Sequence, residues 1–254
     1  MKIFKNIILF ICASSIIPVK AQIFLITYDQ ITNFGSQPDT TVGSLVVDAE
    51  KGVSLYEFGK VSIQKSASRS IDQEGNMIVR APKKVDTIGS YIRTDLTTGH
   101  QELREKVLGT YFLVNDTTKI LWSVARDTSI NEKNLKTATC TFRGRDYTVN
   151  FIPLEGISVG PWKFRGLPGL IVEVLDRTNE VGFKLREIDR SSGNMLIEPT
   201  KIPGMSHFLT YETFRKHRNN LRDQDVASLG TTSGSGRLTK VIYSQINVNY
   251  LEKD

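Results

Sequence analysis

Cysteine and histidine are scarce in this 254-residue chain: two of the first and three of the second. Two cysteines exclude a disulfide-built scaffold, and neither has the spacing of a zinc knuckle. His100, His207 and His217 form no HExxH or other metal-ligand pattern, so no metal and no cofactor is expected. Each is read as a surface or turn histidine. A GxSxG elbow, a P-loop and GxGxxG are all missing; Gly160, Gly166 and Gly169 match none of them. Cys140 lacks a Cys–His signature and falls in a strand pattern, where an inert buried thiol is expected. Long apolar runs are missing too. The one run of note, 7–17, is shorter than the ~20 residues a membrane helix needs.

That run fits an export signal instead. Lys2 and Lys5 precede it, Pro18 ends it, and Val19-Lys20-Ala21 offers a cleavage site before Gln22. Cys12 follows Leu9-Phe10-Ile11 rather than the small residues of a lipoprotein signal. Residues 1–21 are therefore expected to be a signal peptide, and 22–254 one β-rich domain without a transmembrane segment. Its removal takes three lysines and no acids, lowering the formal charge from +6 to +3. Export and so weak a field argue against a nucleic-acid partner. The expected location is the periplasm, the outer membrane or the exterior.

What the chain does have is β pattern. It is 39% hydrophobic and 24% charged, which suits a globular protein. Strands are predicted over 23–33, 44–48, 54–59, 77–81, 90–95, 101–108, 110–114, 119–125, 137–142, 147–153, 170–175, 181–189 and 240–248. Hairpin turns are predicted at 49–52, 115–118, 143–146 and 176–179. Residues 62–74 read as a long loop, and 228–237 as a Gly/Ser-rich one. A single helix is predicted over 210–224. Tyr211, Phe214 and Leu221 share its apolar face, Thr210 caps it, and Arg215, Lys216, Arg218 and Arg222 form a solvated basic face. The fold class is mainly β: a curved antiparallel sheet, bowl or half-barrel like, with one late amphipathic helix.

Candidate chemistry is thin. Glu173, Asp176, Glu187 and Asp189 are the acids on strand patterns, and two such acids can hydrolyse a glycan. They are read as solvated strand or turn charges. Trp162-Lys163-Phe164-Arg165 is the one place where bases and aromatics interleave. With Arg145 it is the candidate binding set, for a sugar or an anion. On a strand, alternation would pack Trp162 and Phe164 inward and turn Lys163 and Arg165 outward.

The most distinctive stretch runs Gly160-Pro161-Trp162-Lys163-Phe164-Arg165-Gly166-Leu167-Pro168-Gly169-Leu170-Ile171. It reads as an extended piece and a tight turn. Pro168-Gly169 suits a type II turn before a buried strand at Leu170 and Ile171. The string GLPGLI at 166–171 resembles the hallmark of the GLPGLI family of exported Bacteroidetes proteins. Ala138-Thr139, Phe142-Arg143-Gly144-Arg145, Tyr147, Ile157, Gly160-Pro161, Phe164 and Asp176 continue the resemblance, and Tyr28 and the late helix are compatible with it. Val149-Asn150-Phe151 departs from the family's Ala-Trp-Tyr-like triplet, and Leu135 stands where the family has a cysteine.

The family is similar in turn to the N-terminal bowl-shaped domain of type II peptide:N-glycosidase F. The resemblance implies that this domain does not carry the catalytic acids, and a chain ending at Asp254 is expected to lack the catalytic part. The resemblance thus implies a non-catalytic binding or accessory module of the cell envelope, with an envelope protein or glycan as partner. Its alternative is a two-carboxylate hydrolase of glycopeptide or envelope glycan. Asp39-Thr40-Thr41, Asp86-Thr87-Ile88 and Asp116-Thr117-Thr118 also resemble the O-glycosylation sequon of that bacterial group.

Overall fold

In the computed structural model, residues 23–34, 38–62, 66, 68–71, 77–80, 85–124, 135–154, 157–191, 197–230 and 251–254 are described. The expected signal peptide at 1–21 and the expected closing strand at 240–248 lie outside them.

The first eight strands are β1 (Ile23–Thr32), β2 (Asp39–Asp48), β3 (Val53–Phe58), β4 (Ser68–Ile71), β5 (Met77–Arg80), β6 (Ser90–Asp95), β7 (Gln101–Val107) and β8 (Thr110–Asp116). Then come β9 (Ser123–Val124), β10 (Lys136–Phe142), β11 (Arg145–Pro153), β12 (Ser158–Val159), β13 (Gly169–Asp176), β14 (Val181–Ser191) and β15 (Phe208–Thr210). One helix follows, α1 (Tyr211–Gly230). Thr210 caps it as expected, its Oγ1 accepting from the Thr213 N–H at 3.3 Å.

Thirteen strands form one open sheet in the order β15-β8-β7-β6-β3-β2-β1-β14-β13-β11-β10-β9, with β12 alongside β13. Only β15–β8 and β12–β13 are parallel. Burial alternates along β10 and β11 with period two, as a sheet with one covered face requires. The ladder shifts register between Thr27 and Tyr28 and again between Asn150 and Phe151. Such bulges add local twist and help a broad sheet curve.

The covered face holds Tyr28, Tyr56, Phe142, Tyr147, Phe151, Trp162, Phe164, Phe183 and Phe214. Phe164 lies at the centre of the aromatic packing. Its ring is 4.9 Å from Tyr147, 5.4 Å from Trp162 and 6.0 Å from Phe183.

Three expectations are corrected. Among the described residues of the expected strand 119–125, none pairs with β8: only Ser123 and Val124 are strand, and they pair with β10 at the other end of the sheet. At 115–118 the Asp116 carboxylate is buried on Arg143 and accepts from the Thr118 N–H at 2.9 Å. The expected loop at 62–74 contains β4, which pairs with β5 as a separate hairpin. Its polar sequence concealed a strand whose Arg69, Ser70 and Ile71 are exposed. Finally, Gly169 is not in a type II turn. Its φ is 155°, and its N–H donates to the Leu167 carbonyl at 2.8 Å, a tighter turn centred on Pro168. A side chain there is barred by space: a Cβ would lie 2.0 Å from the Ile152 carbonyl oxygen.

Candidate functional site

After β12 the chain leaves the sheet. The Phe164 N–H donates to the Pro161 carbonyl at 3.1 Å, and Trp162 sits at φ 51°. This left-handed turn breaks strand alternation. Trp162 and Phe164 do point inward, but Lys163 is also fully buried, which corrects the expected outward lysine. Its Nζ lies 2.5 Å from Glu252 Oε1 and 3.1 Å from Glu105 Oε1.

Around that lysine an ionic cluster joins the two ends of the open sheet. Asp116 at the end of β8 pairs with Arg143 in the β10–β11 turn. Arg143 lies over the Tyr211 ring of α1, 3.2 Å from its centroid. Arg218 of α1 pairs with Glu252 and is itself fully buried. The helix's basic face is therefore not wholly solvated, because the 251–254 segment supplies it with acids. The Lys253 N–H, in turn, donates to the Arg143 carbonyl at 2.8 Å.

Burial raises the Glu105 carboxyl, against the pull of Lys163. Burial would raise Glu252 as well, but Lys163, Arg218 and Arg143 outweigh it and hold Glu252 below the usual range. Burial pulls Lys163 down, and Glu252 and Glu105 overcome it, so the ammonium is held above its ordinary value. Two carboxylates with separated proton affinities are the raw material of acid–base catalysis. Here both are buried against one lysine.

Arg145 is buried in a second pair. Its Nη1 meets Asp176 at 2.5 Å and Glu180 at 2.7 Å. Asp176 is 2% exposed, not solvated. Its carboxylate also accepts from the Glu180 and Val181 N–H groups, closing the β13–β14 turn. Glu173 accepts from Asn150 at 2.9 Å, while Glu187 and Asp189 are exposed as expected.

Of the candidate binding residues, Trp162, Phe164 and Arg165 border a small pocket behind β3 and β6, and Arg165 also reaches a more open groove. A groove of about 270 Å³ runs between the β6–β7 turn and the segment after β8. Thr94, Thr97, Thr98, Thr117 and Lys119 line it, and Arg165 and Gly166 face it. The Arg165 guanidinium donates to Gln101 Oε1 at 2.8 Å, to the Lys163 carbonyl at 3.2 Å and to the Thr118 carbonyl at 2.8 Å. The Trp122 indole N–H holds the Arg165 carbonyl at 2.9 Å. Pro161, Leu167, Leu170 and Ile171 are buried and pack rather than lining the groove, while Pro168 is exposed.

A wider hollow of about 420 Å³ lies beside β10 and β11, lined by Leu121, Thr139, Thr141, Asp146, Thr148 and Arg177. Cys140 borders it, but burial pushes its thiol up to about 12, consistent with an inert residue. No set of three metal-ligating side chains occurs among the described residues. None of their helices is long and apolar enough to cross a membrane.

Sequence reasoning missed Glu105, Glu252, Thr94, Thr97 and Thr98, and read Asp116 and Thr117 only as part of a turn and a sequon. Nothing local in Thr97-Thr98-Gly99 says that it faces Arg165 across a groove.

No family model and no curated protein matches the chain. Solved structures do. The fold is similar to part of PNGF-II. One PNGF-II structure, in space group C2, is 12% identical with a TM-score of 0.50; a second, in P21, is 13% identical with a TM-score of 0.48. Each match covers 80% of this chain and 34% of PNGF-II, so the chain spans about a third of the length of those structures. At 12% identity the likeness to PNGF-II is one of fold.

Proposed function

We propose that this protein is an exported member of the GLPGLI family that serves the cell envelope as a non-catalytic glycan-binding or accessory module. The GLPGLI string with its flanks supports the family, and the PNGF-II fold supports a glycan-related role. One observation favours binding over hydrolysis. The acids that share a site, Glu105 and Glu252, are buried on Lys163, whereas the open groove presents hydroxyls and cations. Export rests on the sequence of 1–21. Its test is the intact mass of protein recovered from the envelope, which should begin at Gln22.

The test of function is binding of the purified protein to a glycan panel, together with an assay for glycan release. Saturable binding without release supports the reading. Release that is lost in Glu105→Gln supports the hydrolase instead. That second reading stands on the raised Glu105 carboxyl beside the lowered Glu252.

A further inference from the structure

The groove beside Arg165 carries a specific charge. Arg165 spends its guanidinium on one amide oxygen and two backbone carbonyls, all neutral. Among the described residues neither Arg165 nor Lys119 has an ion-pair partner. Two acids of the surrounding segments are engaged elsewhere. Asp116 is taken by Arg143, and Asp95 accepts the Thr97 and Thr98 N–H groups at 2.9 Å each. Burial holds the Arg165 guanidinium below its ordinary value, with Asp116 opposing and Arg143 reinforcing that fall. A half-buried guanidinium without a counter-charge attracts an anion.

The geometry leaves room for one. A Cβ at position 99 would lie 3.4 Å from Arg165 Nε, so glycine keeps that edge of the guanidinium uncovered. Two hydroxyls border the groove. Thr94 Oγ1 accepts from Gln101 Nε2 at 3.1 Å, and Ser158 Oγ accepts from the Gly166 N–H at 3.0 Å. Each keeps its own hydrogen for a further acceptor. Leu96 and Ile120 add a small apolar patch on the wall. The groove is thus rich in donors, positive and the size of a small polar ligand.

We propose that this groove binds a carboxylate-bearing saccharide, with the carboxylate on Arg165 and Lys119 and the sugar oxygens on Thr94 and Ser158. The proposal rests on the glycan-binding reading above and names the class of glycan.

The test is calorimetric titration of the purified protein with uronic- and sialic-acid oligosaccharides, each against its methyl ester. An acid form should bind about tenfold more tightly than its ester, the worth of one charge-assisted hydrogen bond. The exposed Lys119→Gln, which leaves the fold intact, should remove most of that preference, and added salt should reduce it. Esters that bind as tightly as acids would overturn the charge assignment and leave glycan binding standing. Acetate or inorganic phosphate binding as tightly as the acidic sugars would overturn the saccharide assignment. Failure of every saccharide, acidic or neutral, would overturn both the assignment and the reading it rests on. An unchanged acid preference in Lys119→Gln and Arg165→Lys alike would place the site elsewhere and overturn the proposal.

Discussion

The Tyr28 hydroxyl donates to the Ile171 carbonyl at 2.7 Å, from β1 to the last residue of the GLPGLI string. Both groups are buried. Ile171 sits where the β11–β13 register shifts, since Phe151 pairs with Ile171 while Asn150 pairs with Glu173. The tyrosine thus ties an irregular point of the ladder to the core. Tyr28→Phe should cost about 1–3 kcal/mol, because the Ile171 carbonyl is left buried and unpaired. Urea denaturation measures this, and an unchanged midpoint would show that the carbonyl finds another partner.

Gly169 should tolerate no side chain. Its Cβ would meet the Ile152 carbonyl oxygen at 2.0 Å, and backbone cannot yield as a flexible side chain can. Gly169→Ala is expected to cost more than about 3 kcal/mol or to prevent folding. Gly109→Ala, in the open β7–β8 turn, should cost only about 1–2 kcal/mol. Equal losses in the two variants would mean that the clash at 169 is relieved by movement of β11.

Lys163 holds two buried carboxylates together. Lys163→Met removes the cation and leaves Glu105 beside Glu252, at a cost of about 3–5 kcal/mol. Adding Glu105→Gln should recover part of that loss, because it removes the unpaired buried charge. A double variant as unstable as the single one would assign the lysine's role to packing instead.

Asp86 sets an acid limb of stability. Burial would raise its carboxyl, but hydrogen bonds from the Gly89 N–H, Lys106 and Tyr111 outweigh it and lower the pKa from the usual 3.8 to about 2. The folded value lies below the unfolded one, so protonation favours the unfolded chain. This contribution is complete above about pH 4 and is lost as pH falls through about 2. Asp86→Asn should flatten that part of a stability–pH curve measured by urea melts. A curve of unchanged slope would place the titration elsewhere.

Much of the fold was legible in the sequence because its cues are local. Alternation along 136–142 and 145–153, the Arg143-Gly144 turn between them and the Thr210 cap each depend on residues a few positions apart. The same cues misread 62–74, where the polar run Ser68–Ile71 is a strand paired with β5, and 119–124, where Ser123 and Val124 cross to the other end of the sheet.

The candidate site was legible only in part. Arg165 was named from its aromatic neighbours, but its groove is built by Thr94, Thr117 and Lys119 from other strands and turns. Lys163 was read as an outward charge because alternation was extended through a turn.

By itself the sequence determined the β-rich class, the hairpins on either side of the motif and the one late helix. These follow from periodicity and from residues that punctuate the backbone. Only the tertiary structure decided which charges are buried. Lys163 meets Glu252 across 89 residues and Arg143 meets Asp116 across 27. A charge leaves water only when a partner waits in the core, and no local pattern records a partner so far along the chain.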